Sequence, residues 1–105
     1  MQFVETAVFT SLIVEAIEDD EYKALQVALL LRPEQGSLIR GSGGLRKIRW
    51  SGKGRGKRGG LRVIYYWEPA RSTCYMLFAY WKNEQGDLTA TQVRTLARIV
   101  REEFS

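Results

Sequence analysis

Leu61-Arg-Val-Ile-Tyr-Tyr-Trp67, Glu68-Pro-Ala-Arg-Ser72 and Thr73-Cys-Tyr-Met-Leu-Phe-Ala-Tyr-Trp81 follow one another without interruption. The first and third stretches are rich in aromatic and β-branched residues, which suit a pleated, half-buried surface. The segment between them holds proline and serine and reads as a hairpin turn. Upstream, Leu45-Arg-Lys-Ile-Arg-Trp50 alternates in part: Leu45, Lys47 and Arg49 fall on one face, and Arg46, Ile48 and Trp50 on the other. Three consecutive strands after a helical half predict an antiparallel sheet and an α+β fold.

The flanks supply the helices. Gln2 to Glu5 reads as a short strand, and Thr6 as an N-cap for a helix carrying Phe9, Leu12, Ile13 and Ala16 at helical spacing. The run Glu18-Asp-Asp-Glu21 breaks that helix and starts another, where acids complement the helix dipole. Tyr22, Leu25, Ala28 and Leu29 form its apolar face, widened by Val27, Leu30 and Leu31, and Pro33 ends it near Arg32. A face this wide predicts packing on the sheet. Thr89-Ala-Thr-Gln92 fits a capping box, with Leu88 and Val93 as the hydrophobic staple. Val93, Leu96, Ala97 and Val100 then make one face of a C-terminal helix, with Phe104 one turn on.

The chain has 105 residues, which predicts one domain over 1–105. It has no histidine and a single cysteine, Cys74. The commonest general base and metal ligand is therefore missing, and no disulfide can form within the chain. Cys74 reads as a small buried hydrophobe. No acidic cluster suited to Mg²⁺ is visible, so the expectation is a protein without metal or cofactor. The apolar run Val27 to Leu31 is too short for a membrane span, and the N-terminus has no signal-peptide pattern. A cytoplasmic protein without membrane attachment is expected.

Charge is segregated. Between Glu34 and Glu68 lie nine Lys or Arg and no acid, whereas six of the twelve acids precede Glu34. Nine of the ten glycines share the basic stretch, most densely in Gly52-Lys-Gly-Arg-Gly-Lys-Arg-Gly-Gly60. Glycine lets backbone approach phosphate closely, and Lys and Arg neutralise it. This is not a Walker loop, because no Gly-Lys-Ser/Thr follows at the required spacing. Lys53, Arg55, Lys57 and Arg58 in the loop are expected to grip a nucleic-acid backbone, although an acidic protein would be attracted equally well. Lys47, Arg49 and Arg62 lie on strands, where cations are held firmly enough to position a phosphate, or where one face of the sheet is simply wet. Tyr66 shares parity with Arg62 and is the aromatic face expected to be open for base stacking. Tyr80-Trp-Lys-Asn-Glu84 ends the last strand with a donor, an amide and an acid, or with an ordinary polar turn.

Three blocks, Gly43-Gly-Leu-Arg-Lys-Ile-Arg49, Lys57-Arg-Gly-Gly-Leu-Arg-Val-Ile-Tyr-Tyr66 and Tyr80-Trp-Lys-Asn-Glu84, occur in this order between the same elements. Together they resemble the RelE/HigB-like toxins of bacterial type II toxin–antitoxin pairs, and among these the HigB-type branch. The resemblance runs over nearly the whole chain. It implies a small antiparallel sheet with two N-terminal helices on one face, RNA on the other, and a C-terminal helix. It implies a ribosome-dependent mRNA endoribonuclease, an mRNA interferase that cuts translated mRNA in the A site. The ribose 2′-hydroxyl attacks the adjacent phosphate without metal. The implied partners are the ribosome with its mRNA and a cognate antitoxin of helix-turn-helix type, through which alone the pair reaches operator DNA. Arg62 matches the family arginine that stabilises charge on the scissile phosphate. Lys47 and Arg49 match the basic pair flanking that phosphate, and Lys82 the basic position closing the last strand. Asn83 stands where the RelE branch has another arginine, and is a candidate RNA contact. In a chain without histidine, Lys47, Lys57 or Lys82 is the expected general base, since like charges nearby favour a neutral lysine, with Glu84 as an alternative that the resemblance does not single out. Two other functions share this sequence logic: a non-enzymatic, ParE-like gyrase inhibitor and a plain RNA-binding module.

Overall fold

A computed structural model of the chain describes residues 1–50 and 60–104. The elements run β1 (Gln2–Glu5), α1 (Ala7–Ala16), α2 (Asp19–Leu31), β2 (Ser37–Leu38), β3 (Leu45–Trp50), β4 (Leu61–Glu68), a 3₁₀ turn (Pro69–Arg71), β5 (Thr73–Trp81) and α3 (Ala90–Ile99). A wider π turn over Val100–Phe104 continues α3. Among the described residues no helix is long and apolar enough to cross a membrane.

The helix boundaries follow local chemistry. Thr6 caps α1, its Oγ1 accepting from the Phe9 amide at 3.0 Å. Glu18 and Glu21 make a reciprocal capping box at the start of α2, with the Glu18 amide donating to Glu21 Oε1. At the other end Gln35 Nε2 donates to the carbonyls of Ala28 and Arg32, which also accept the Arg32 and Gln35 amides. Thr89 and Gln92 form the second capping box.

The sheet order is β1-β5-β4-β3-β2. β2, β3, β4 and β5 pair antiparallel, as the strand patterns predict. β1, whose pairing the sequence leaves open, joins this mostly antiparallel sheet in parallel with β5 at one edge. Its partner is chosen through α1: the Thr6 amide donates to Met76 O at 3.0 Å and Thr6 Oγ1 to Leu77 O at 2.9 Å. The two-residue strand β2 has no periodicity of its own and does not emerge from the sequence pattern.

Both faces of the sheet are covered. On one, Phe9 and Ile13 of α1 and Leu25 and Leu29 of α2 pack against Ile48, Leu61, Val63, Tyr65, Cys74, Met76 and Ala79. On the other, Leu96 and Val100 close over Leu45, Ile64, Tyr75, Leu77 and Tyr80. The sequence reading left α3 without an assigned face. α3 lies opposite the N-terminal helices, on the face the RNA was expected to occupy. Phe104 stacks on Tyr75 with ring centroids 4.3 Å apart. Val27, Leu30 and Leu31, which widen the apolar face of α2 in the sequence, are exposed.

One irregularity governs the second face. β4 and β5 pair Ile64 with Phe78 and Tyr65 with Met76, so Leu77 is an extra residue in β5, a β-bulge. Leu77 and Phe78 consequently pack on the same face, and the alternation of β5 is reset beyond them. The bulged carbonyl is the one that Thr6 Oγ1 satisfies. Thr6→Ala removes a helix cap and the partner of that carbonyl, and is expected to lower the unfolding free energy by about 1–2 kcal/mol. Urea titration checks this, with Thr6→Ser expected to stay near the parent.

Candidate functional site

The bulge aligns three polar side chains across three strands. Arg49 of β3 pairs with Arg62 of β4, and Arg62 with Tyr80 of β5. Directly opposed residues on one face stand about 5 Å apart at Cβ. Arg49, Arg62 and Tyr80 therefore form a continuous row on the α3 side of the sheet, at the end away from the hairpin. Lys47 lies two residues before Arg49 on the same face.

Arg62 is only 7% exposed. Its guanidinium is roofed by Gly60, where an added Cβ would stand 3.2 Å from Arg62 Nη1. Gly60 has φ of +87°, a left-handed conformation that side chains resist. Its carbonyl accepts from the Lys82 amide at 3.1 Å, which ties the end of the basic connection to the end of β5. A cation held this firmly has little ordering entropy left to lose when it meets a ligand.

The segment after β5 closes the row. Asp87 Oδ1 accepts from the Leu88 amide at 2.8 Å, from Lys47 Nζ at 3.3 Å and from Tyr80 Oη at 3.5 Å. Lys82 Nζ donates to Gly86 O at 3.0 Å, and Gln85 Nε2 bridges Asp87 O and Gln92 Oε1. The Leu88 amide, with Lys47 and Lys82 adding to it, holds the Asp87 carboxyl below the ordinary carboxylate range. Burial pushes the Tyr80 phenol up, Asp87 adds to that and Arg62 opposes it, so Tyr80 is a hydrogen-bond donor at neutral pH.

Lys47, Arg49, Arg62 and Lys82 thus gather around one end of the sheet. Asn83 follows Lys82 in the same turn and is exposed. Tyr66 is on the right face but not in the group: it pairs with Leu45, four residues along β4 from Arg62. It stacks on Tyr75 at 6.3 Å and lies against Gly44. Arg46 faces the other way and donates to Glu34 O and Gly36 O, a structural role. Lys53, Arg55, Lys57 and Arg58 lie outside the described residues.

Two residues to which the sequence reading gave no part belong to this group, Tyr80 and Asp87. Unbroken alternation from Tyr75 would put Tyr80 on the opposite face, and only the bulge brings it to Arg62. Asp87 has no periodic signal, because a turn delivers it. Among the described residues no three His, Cys, Asp or Glu come together to hold a metal ion. The arrangement offers a rigid buried guanidinium, two further strand cations, a phenol donor and one ionised carboxylate. That set can bind a phosphodiester, stabilise added negative charge on it, and accept a proton beside it.

A free-state structure of an arginine-to-alanine double mutant of the E. coli toxin RelE matches this chain with a TM-score of 0.58. The match covers 91% of this chain and 92% of that one. The fold is RelE-like. Sequence identity is 13%, so the likeness lies in the RelE-like backbone architecture. No family model matches the sequence.

Gly60→Ala forces a Cβ into the left-handed region against Arg62, and is expected to cost about 1–2 kcal/mol. Thermal unfolding measures the cost. In an Arg62→Ala background the part caused by the guanidinium contact is expected to vanish, leaving the backbone part.

Proposed function

We propose that this protein is a ribosome-dependent mRNA endoribonuclease, a toxin of the RelE/HigB type silenced by a cognate antitoxin. The observation that carries the reading is the row Arg49–Arg62–Tyr80 with Lys47 beside it. Burial of an arginine in a small protein is expensive, and three aligned strands of cations and a phenol are more than solubility requires. The RelE-like architecture and the three sequence blocks supply the second support.

In this reading an mRNA phosphate in the ribosomal A site settles on the row. The 2′-hydroxyl of the preceding ribose attacks phosphorus, the bond to the 5′ oxygen breaks, and a 2′,3′-cyclic phosphate and a 5′-hydroxyl result. Arg62 is oriented before substrate arrives and stabilises the charge that grows on the pentacoordinate phosphorus. Arg49 and Lys47 neutralise the flanking backbone, and Lys82 and Asn83 contact RNA at the loop. Lys53, Arg55, Lys57 and Arg58 extend the basic surface toward ribosomal or messenger phosphates. The work is cytoplasmic, where translating ribosomes are. A helix-turn-helix antitoxin fits the HigB-type blocks and would carry any contact with operator DNA.

The test is cleavage of mRNA on programmed ribosomes. Lys82→Ala and Arg62→Lys are each expected to lower the cleavage rate about 10²–10³-fold with the thermal melt kept near the parent. Arg62→Lys keeps the charge but loses the planar fork, so it separates catalysis from folding better than Arg62→Ala does. Full activity in both variants overturns the site. Inhibited supercoiling by gyrase without any mRNA cut overturns the function.

A further inference from the structure

The proposed reaction needs a group that takes the proton from the 2′-hydroxyl, and this chain has no histidine. The two candidate lysines among the described residues are engaged as donors: Lys47 Nζ to Asp87, and Lys82 Nζ to the Gly86 carbonyl. An ammonium has no lone pair with which to accept a proton. Asp87 is an ionised carboxylate in contact with the row, through both Lys47 and Tyr80.

Its two oxygens are differently placed. Oδ1 is pinned by three donors, on Leu88, Lys47 and Tyr80. Oδ2 makes no hydrogen bond among the described residues, and the side chain is 72% exposed. One oxygen fixes the carboxyl group in the turn beside Lys47 and Tyr80, and the other is left open to accept a proton. The turn is itself braced by Gln85, Gln92 and the Lys82–Gly86 bond.

Resting on the endoribonuclease reading, we propose that Asp87, through Oδ2, is the general base of the cleavage. The 2′-hydroxyl proton passes to Oδ2 as the 2′ oxygen bonds to phosphorus. The phosphorus–5′ oxygen bond breaks, and its electron pair leaves with the 5′ oxygen, which takes a proton from water. Asp87 then returns its proton to solvent. Arg62 and Arg49 hold the charge on phosphorus throughout, and Lys47 keeps the carboxyl group in place.

The charged and titratable groups facing Asp87 are Lys47 from β3, Tyr80 from β5 and Lys82 from the turn, with Arg62 of β4 acting through Tyr80. The Leu88 amide and these lysines hold the carboxyl below its ordinary value of 3.8. A base with a depressed pKa is available at every pH above it and is lost only as pH falls through it. The rate is therefore level across the neutral range. A lysine base would instead gain rate steadily toward alkaline pH.

Single-turnover cleavage on programmed ribosomes from about pH 6 to pH 9 reads this directly. The parent protein is expected to give a level profile. Asp87→Asn keeps an acceptor for Leu88 and Tyr80, so it folds, and its rate is expected to fall by roughly 10²-fold or more. Its KM for programmed ribosomes is expected to stay within about threefold, because the loss falls on the chemical step. Asp87→Glu is expected to recover part of the rate. A parent rate that rises about tenfold per pH unit points to lysine and overturns the assignment. So does an Asp87→Asn variant that cuts at the parent rate, or one that loses only ribosome affinity. If the parent protein cuts nothing, the endoribonuclease reading itself falls, and this assignment with it.

Discussion

The extra residue at Leu77 in β5 determines which side chains share the second face of the sheet. Before it, Tyr75 and Leu77 point toward α3. After it, Phe78 and Tyr80 do, and Ala79 turns to the N-terminal helices. Alternation has a period of two, so one inserted residue exchanges the faces of everything beyond it. The row of Arg49, Arg62 and Tyr80 exists because that exchange happens between the hairpin and the site. The bulge in turn depends on Thr6, whose hydroxyl accepts from the Phe9 amide in the first turn of α1 while donating to the bulged carbonyl.

Arg62 shows how such a small sheet carries a charged residue near its centre. Its neighbours along β4, Leu61 and Val63, serve the helix-covered core, and Ile64 serves the α3 core. A guanidinium among them costs desolvation, offset only where hydrogen-bond partners and nearby polar groups meet it. Gly60 makes room above it, and Tyr80 lies alongside. Among the described cations of the basic stretch, Arg62 is buried, Arg46 and Lys47 are half-buried, and Arg40 and Arg49 are exposed.

Much of this was legible in the chain. The limits of β3 and β5, the caps at Thr6 and Thr89 and the break at Glu18 are local chemistry, written in adjacent residues. Lys47 and Arg49 follow from parity within one short strand, and Arg62 from the strand after the glycine-rich stretch. What was not legible is what depends on distant pairing. The parallel partner of β1 is chosen by bonds from Thr6 to Met76 and Leu77. The face of Tyr80 is set by the register between β4 and β5, and Tyr66 is withdrawn by its stack on Tyr75. Asp87 enters the site through a turn, and turns do not advertise where they point. The face occupied by α3 follows from which side of the sheet keeps apolar residues free once α1 and α2 have docked.

The parallel pairing of β1 also has a bearing on the order in which the molecule can be finished. The first strand and the cap of the first helix are made well before their partners, which stand 71 residues further along the chain. Contacts of such long range form late, because closing the intervening chain comes before any gain from the contact. Both N-terminal helices can therefore exist before the edge they dock on. The bulge cannot be braced until β5 has been made, and the cation row is not complete until Asp87 follows. The working face is thus assembled only after β5 is in place, and α3, which follows it in the chain, closes over the same side of the sheet.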